Sequence, residues 1–323
     1  MPDPMLHLPL ILTLGLLLLY YGAEALVKGS SSMALRLGLS PLLVGLTVVA
    51  FGTSSPELVV SIKAAYLGQG DISVGNIVGS NICNIGLILG FCALVTPIVV
   101  SSQIIRIDLP IMVAVSLLSF FFLHGRILGR VQGWVLFLLL IGYVAFSVWI
   151  SKRRSSDALG SEFTEGIKPS KRSLTFDIIL VIAGLAMLVL GARFLVDSAI
   201  EIARALGWSE AVIGLTIVAV GTSLPEFATS LVAAMRKEAD IAVGNIVGSN
   251  IFNILGILGL SSIFTPLSAS GITTMDLVVM CAFAVILWPF CLTEHRINRK
   301  EGGLLLSGYA LYVIYLVANA KAG

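Results

Sequence analysis

The chain contains its own approximate copy. Residues 48–61 read VVAFGTSSPELVVS and residues 217–230 read IVAVGTSLPEFATS; residues 71–85 read DISVGNIVGSNICNI and residues 240–254 read DIAVGNIVGSNIFNI. One ungapped offset of 169 residues relates Glu57 to Glu226, Asp71 to Asp240 and Pro97 to Pro266. A duplication this regular restricts the fold to two versions of one unit. A site that draws an acidic residue from each version belongs between them.

The units are apolar. Of the 323 residues, 57% are hydrophobic and only 12% charged, against about 25% charged in a soluble domain. The mean hydropathy is +1.02, so most of the surface does not face water. A transmembrane helix needs roughly 20 apolar residues. Ten segments qualify: 8–27, 41–67, 71–95, 107–124, 130–150, 174–204, 210–235, 240–264, 273–293 and 301–320. The predicted fold class is therefore an all-α polytopic membrane protein with ten transmembrane helices. The net charge of +2 gives no basic field for nucleic acid. Cys83, Cys92, Cys281 and Cys291 lie in or at the ends of apolar segments without a C-x-x-C pair, and read as small core residues rather than disulfides or a zinc site. Leu8–Leu19 followed by Ala23-Glu24-Ala25 resembles a signal peptide. The start MPDPMLHL has no Lys or Arg, however, and Gly22-Ala23 matches Gly191-Ala192 at the common offset. The segment is expected to be the first mature helix.

The only long polar stretch, 151–173, is rich in Ser, Gly and charge and reads as a linker. It divides the chain into a first five-helix repeat, 1–150, and a second, 174–323. Five crossings is an odd number, so the second repeat must enter the membrane from the opposite side and the two are inverted. With the linker cytoplasmic, that side carries fourteen Lys and Arg and the other five or six. The positive-inside rule then places both termini outside the cytoplasm.

The chemistry lies in Gly52-Thr53-Ser54-Ser55-Pro56-Glu57 and Gly221-Thr222-Ser223-Leu224-Pro225-Glu226. Each proline removes a backbone donor and should kink or break its helix. Carbonyls around Ala50 and Ala219 are expected to lose their helical partners and to line a polar cavity or bind a cation. Thr53, Ser54 and Glu57 share roughly one helix face. A charge at the bilayer centre costs at least ~2.5–3.5 kcal/mol on insertion scales, so two glutamates at matching positions point to function. Oxygen-only ligands suit hard cations such as Ca²⁺ or Na⁺. Val74–Ile82 is identical to Val243–Ile251. Its glycines, Gly75 and Gly79 with Gly244 and Gly248, suit close helix approach. Ser80 with Asn84, and Ser249 with Asn253, offer neutral oxygens on one face. Asn76, Asn81, Asn245 and Asn250 either touch the ion or hold the broken helices. The offset also aligns Glu24 with Arg193 and Lys28 with Asp197; each helix could hold its own pair, or the pairs could cross between repeats.

The paired G-T-S-x-P-E and G-N-I-V-G-S-N motifs resemble the α-repeats of the cation/Ca²⁺ exchanger superfamily, closest to its prokaryotic sodium/calcium exchangers, over roughly 42–98 and 211–267. The resemblance implies ten helices in two inverted halves, with four helices around the ions and helices one and six sliding to switch access. The implied ligands are Ala50 (carbonyl), Thr53, Ser54, Glu57, Ser80 and Asn84, then Ala219 (carbonyl), Thr222, Ser223, Glu226, Ser249 and Asn253. Some members carry an aspartate where this chain has Asn253, so two carboxylates remain here. They balance one Ca²⁺, two Na⁺ or two H⁺. The expected function is a Ca²⁺/Na⁺ antiporter working by alternating access in a prokaryotic cell membrane, with Ca²⁺, Na⁺ and lipid as partners. A Ca²⁺/H⁺ antiporter of the same fold and a passive cation channel are the alternatives. No P-loop, H-E-x-x-H or nucleophile motif points to an enzyme. No cofactor and no protein partner are implied.

Overall fold

The computed structural model describes residues 8–157, 173–205, 219–292 and 294–320. Eight of the described helices are long and apolar enough to cross a membrane: α1 (Leu8–Arg36), α4 (Gly70–Val95), α5 (Ile104–His124), α6 (Arg130–Asp157), α7 (Leu174–Ala205), α9 (Ala239–Phe264), α10 (Thr274–Leu292) and α11 (Arg299–Ala320). A further span is the broken pair α2 (Pro41–Thr53) and α3 (Ser55–Tyr66), bent by 48°. The expected seventh segment, 210–235, is described from Ala219 onward and contains α8 (Leu224–Met235). Most of the expected linker, 158–172, lies outside the described residues, as do the ends of the chain.

The segments follow their hydropathy closely, with two excesses: α6 continues through Ser151–Asp157 into the expected linker, and α1 extends furthest. α1 runs nine residues past the apolar stretch through the polar Lys28–Arg36. Packing extends it. α1 and α7 lie antiparallel along a seam of small residues. A Cβ on Gly22 would come within 2.9 Å of the Gly184 carbonyl, and one on Gly29 within 2.9 Å of the Asp177 carbonyl. At the end of that seam Arg36 Nε donates to the buried Asp177 Oδ2 at 2.7 Å, and Ser32 Oγ joins it at 2.8 Å. The polar turns therefore have partners of their own.

The strand content was not expected. Four two-residue strands, β1 (Ile98–Val99), β2 (Ile127–Leu128), β3 (Leu267–Ser268) and β4 (Arg296–Ile297), form two antiparallel pairs, β1 with β4 and β2 with β3. β1 and β2 flank α5, while β3 and β4 flank α10. The crossed pairing makes α5 and α10, which pack together, antiparallel. Tyr143 Oη donates to Asp108 Oδ1 at 3.1 Å, tying α5 to α6, and Tyr312 Oη does the same to Asp276 Oδ1 at 2.9 Å between α10 and α11.

The layering follows. The helices with the repeated motifs occupy the centre: 78% of the apolar window of α4 and 94% of that of α9 is buried, against 28% for α6 and 17% for α11. The outer helices turn Val131, Trp134, Leu311 and Ile314 outward, as hydrocarbon-facing helices do. All four cysteines are buried and free, in agreement with their reading as core residues.

Candidate functional site

The helix breaks fall at the two serines. Ser54 (φ −80°, ψ 8°) and Ser223 (φ −89°, ψ 7°) leave the α-helical region, and Pro56 and Pro225 sit in the first turn of the next helix, where a missing N–H costs nothing. One expectation is corrected here. The Ala50 carbonyl keeps a helical partner, Ser54 N at 3.0 Å, and the Thr53 hydroxyl lies 3.3 Å away. The reason is geometric: a proline at 56 withholds the hydrogen bond four residues back, from Gly52 rather than Ala50. In the second copy Ser223 N donates to the Val220 carbonyl at 3.1 Å instead, one residue past Ala219.

The breaks turn their side chains toward each other across the repeats. Ser54 Oγ donates to Glu226 Oε1 at 2.8 Å, and Ser223 Oγ lies 3.3 Å from Glu57 Oε1 and 3.5 Å from Ser80 Oγ. Each glutamate is thus bonded to the other copy's serine. Both glutamates are 1% exposed, and Thr53, Ser54, Ser80, Asn84, Ser223, Ser249 and Asn253 are buried with them. Thr222 is half-buried. The middles of α4 and α9 contribute through π-helical turns, which begin at Asn84 and Asn253; such turns are frequent at functional sites.

The remaining asparagines hold this arrangement. Asn76 donates to the Glu57 carbonyl at 3.3 Å and to Ser61 Oγ at 2.9 Å; Asn245 repeats the clamp on the Glu226 carbonyl at 3.5 Å and Ser230 Oγ at 3.0 Å. Asn245 also accepts from Thr53 Oγ1 at 3.0 Å. Asn81 and Asn250 bond Asn253 and Asn84. Ser61 and Ser230 were legible in principle, since both stand in the repeated stretch at matching positions. Gly244 and Gly248 do what their spacing predicts: a Cβ on Gly248 would come within 2.5 Å of the Leu46 carbonyl. α9 therefore lies directly on α2. Gly75 and Gly79 do not: a Cβ on Gly75 would meet only the Ile272 side chain at 3.4 Å and one on Gly79 nothing within 4 Å, so no helix backbone among the described residues closes on the first pair.

The unbonded oxygens say what the arrangement is for. Twelve side-chain atoms among the described residues are buried without a hydrogen-bond partner, and six belong to the expected ligand set: Glu57 Oε2, Glu226 Oε2, Asn84 Oδ1, Asn253 Oδ1, Thr222 Oγ1 and Ser249 Oγ. All six are oxygens. An orphaned buried polar group costs about 1–3 kcal/mol, more when charged. A hard cation would satisfy these oxygens together. Among the described residues no group of three or more His, Cys, Asp and Glu is placed to hold a metal, so two carboxylates and neutral oxygens are what the centre offers.

The surroundings differ at the two ends. A cavity of about 270 Å³ between α3 and α7 is lined by Pro56, Val60, Arg193, Asp197 and Thr222. At the repeat-related place Glu24 forms a two-pronged ion pair with Arg236, just past α8, and a 2.8 Å pair with Lys28. The i, i+4 pair expected on α1 is present, and Glu24 adds a partner that no spacing along one helix could indicate.

The model of the family described as sodium/calcium exchanger protein matches residues 7–149 and 176–318. The chain belongs to the sodium/calcium exchanger family. Sodium/calcium exchanger MaX1 of Methanosarcina acetivorans is 36% identical over 95% of this chain and 97% of its own length. Inner membrane protein YrbG of Escherichia coli (strain K12) is 37% identical over 95% of each. The fold agrees: a solved structure of the sodium-calcium exchanger NCX_Mj superimposes with a TM-score of 0.81 at 35% identity, covering 95% of this chain and 97% of that one. The chain is thus a membrane cation/Ca²⁺ exchanger, from a family of transporters rather than enzymes.

Proposed function

We propose that this exchanger moves Ca²⁺ against Na⁺ by alternating access, through a single centre built from Glu57 and Glu226. The reading rests on one observation: two buried carboxylates, each bonded to the opposite copy's serine, keep one oxygen apiece free, and four further oxygens of the expected ligand set are buried and unbonded with them. The proposed ligands are the side chains of Thr53, Ser54, Glu57, Ser80 and Asn84, those of Thr222, Ser223, Glu226, Ser249 and Asn253, and the carbonyls of Ala50 and Ala219. Two negative charges neutralise one Ca²⁺ or two Na⁺. A third Na⁺ would leave a net positive charge in a site that water does not screen, which is costly. Charge balance at this centre is met by one Ca²⁺, two Na⁺ or two H⁺.

Ten spans in two inverted repeats, 1–150 and 174–323 about a cytoplasmic linker, account for the antiparallel run of α5 and α10 and for the crossed strand pairs. The unequal ends favour alternating access. The cavity reaches Thr222 beside α7, while at the related place beside α1 Glu24 is ion-paired with Arg236. The solved structures of NCX_Mj concern extracellular ion exchange and induced binding-site occlusion, which fits a centre open to one side at a time. The Lys and Arg distribution favours both termini outside the cytoplasm, and the name of inner membrane protein YrbG supports a prokaryotic cell (inner) membrane.

The test is uptake of ⁴⁵Ca²⁺ into proteoliposomes under imposed Na⁺, K⁺ or pH gradients. Uphill accumulation is expected with an outward Na⁺ gradient alone. Accumulation driven only by a pH gradient would establish Ca²⁺/H⁺ exchange instead. Flux that never runs uphill would establish a channel.

A further inference from the structure

Four asparagines in the centre form two short hydrogen-bonded chains, and their direction is not arbitrary. In the first, Asn253 Nδ2 donates to Asn81 Oδ1 at 3.0 Å, and Asn81 Nδ2 donates to the main-chain carbonyl of Asn250 at 3.3 Å. In the second, Asn84 Nδ2 donates to Asn250 Oδ1 at 3.2 Å, and Asn250 Nδ2 reaches Met112 Sδ at 3.6 Å. All four side chains are buried. An amide has a donor end and an acceptor end of nearly the same shape, so packing alone does not choose between its two orientations. The far end of each chain does. A main-chain carbonyl and a thioether can only accept, so each compels the next amide to present its NH₂. That turns the Oδ1 of Asn81 or Asn250 toward the following asparagine, which must donate in turn. The polarity runs along each chain and ends at Asn253 Oδ1 and Asn84 Oδ1, both without a protein partner.

We propose that Asn81 and Asn250 are positioning residues which lock Asn253 and Asn84 with their carbonyl oxygens toward the transported cation. This rests on the reading of Asn84 and Asn253 as ligands. Each copy's ligand is oriented by the other copy's asparagine, so the lock forms only when α4 and α9 meet. Without it an amide can rotate by half a turn and point its positive NH₂ end at the cation, turning an attraction into a repulsion. The two chains differ in their anchors. Asn253 is set by a strong acceptor, whereas Asn84 is set through a sulfur, a weak one.

A double-mutant cycle separates orientation from mere packing. A carboxylate has two equivalent oxygens and no wrong way round, so Asn84→Asp removes the need for the lock. Asn250→Ala in the wild-type background is expected to raise the Ca²⁺ concentration for half-maximal uptake about tenfold. In the Asn84→Asp background it should cause no further loss. An equal penalty in both backgrounds, or no penalty in wild type, overturns the proposal, because a packing defect does not depend on which end of residue 84 faces the ion. Should Asn250→Ala fail to fold, the cycle of Asn81→Ala with Asn253→Asp decides by the same criteria. Asn84→Ala tells the two readings apart. If it leaves half-saturation unchanged, Asn84 is no ligand and the premise fails. If it weakens Ca²⁺ while the cycle shows no coupling, the ligand stands and the lock does not.

Discussion

At the scale of single residues, the centre depends on two carboxylates that no cation among the described residues pairs with. Each is held by a serine of the opposite copy. Glu57→Gln and Glu226→Gln keep the side-chain shape but remove half the charge facing a dehydrated divalent ion. Losing one partner of a buried charge pair costs about 3–5 kcal/mol, or on the order of a hundredfold or more in affinity. Purified, folded variants should show nearly no ⁴⁵Ca²⁺ exchange; near-normal exchange in either would refute the ligand assignment. Asn253→Asp works in the other direction. A third charge makes room for a third monovalent ion, so the Na⁺ dependence of Ca²⁺ release should steepen, read as a higher Hill coefficient. An unchanged Na⁺ dependence with full activity would remove position 253 from the ion site. The candidate residues were legible because the duplication marks matching positions in both copies, and polar residues conspicuous in an apolar run need no three-dimensional information to be noticed. What joins them was not legible. The bond from Ser54 to Glu226 spans 172 positions. Met112 was not legible either, because it stands outside both of the repeated stretches.

At the scale of elements, hydropathy located the spans because a membrane helix must be apolar over a set length, and the proline breaks because the ring withholds a donor wherever it stands. The π-helical turns at Asn84 and Asn253 and the four short strands escaped that reading. Each answers to a tertiary neighbour rather than to a local period. The α1–α7 contact shows how far neighbours matter. Gly22 and Gly184 face each other so closely that any side chain collides with backbone: a Cβ on Gly184 would lie 2.7 Å from the Gly22 carbonyl and from Leu26 N. Backbone atoms cannot swing aside, so Gly22→Val and Gly184→Val should each push the helices apart. Overpacking of this kind costs about 1–3 kcal/mol. Thermal unfolding followed by tryptophan fluorescence in detergent should show a lower midpoint for both variants, with Gly142→Val, where a Cβ meets nothing within 4 Å, as the unaffected control. Equal midpoints in all three would mean that the seam is looser than its geometry.

At the scale of the whole molecule, the decisive property is the sense of one half relative to the other. Parity alone predicts inversion: five spans leave the chain on the side opposite to its start. The structure adds a local sign of the same relation, because the strand before α5 pairs with the strand after α10, and the strand after α5 with the strand before α10. Two strands paired across copies are expected on one side of a membrane that α5 and α10 span, which would put the segment before α5 and the segment before α10 on opposite sides, although they hold matching places in their repeats. Ser102 and Ser270 are exposed residues of those two segments. In a background with Cys83, Cys92, Cys281 and Cys291 replaced, Ser102→Cys should react with an impermeant thiol reagent only from the cytoplasmic side. Ser270→Cys should react only from the outside. A duplication with both halves in the same sense would present both cysteines to one side, and labelling of that kind would refute the inverted architecture. The reciprocal bonds of Ser54 with Glu226 and of Ser223 with Glu57 call for a two-fold relation between the copies; they do not choose between an axis in the membrane plane and one along its normal, so it is the labelling that decides the sense of the halves.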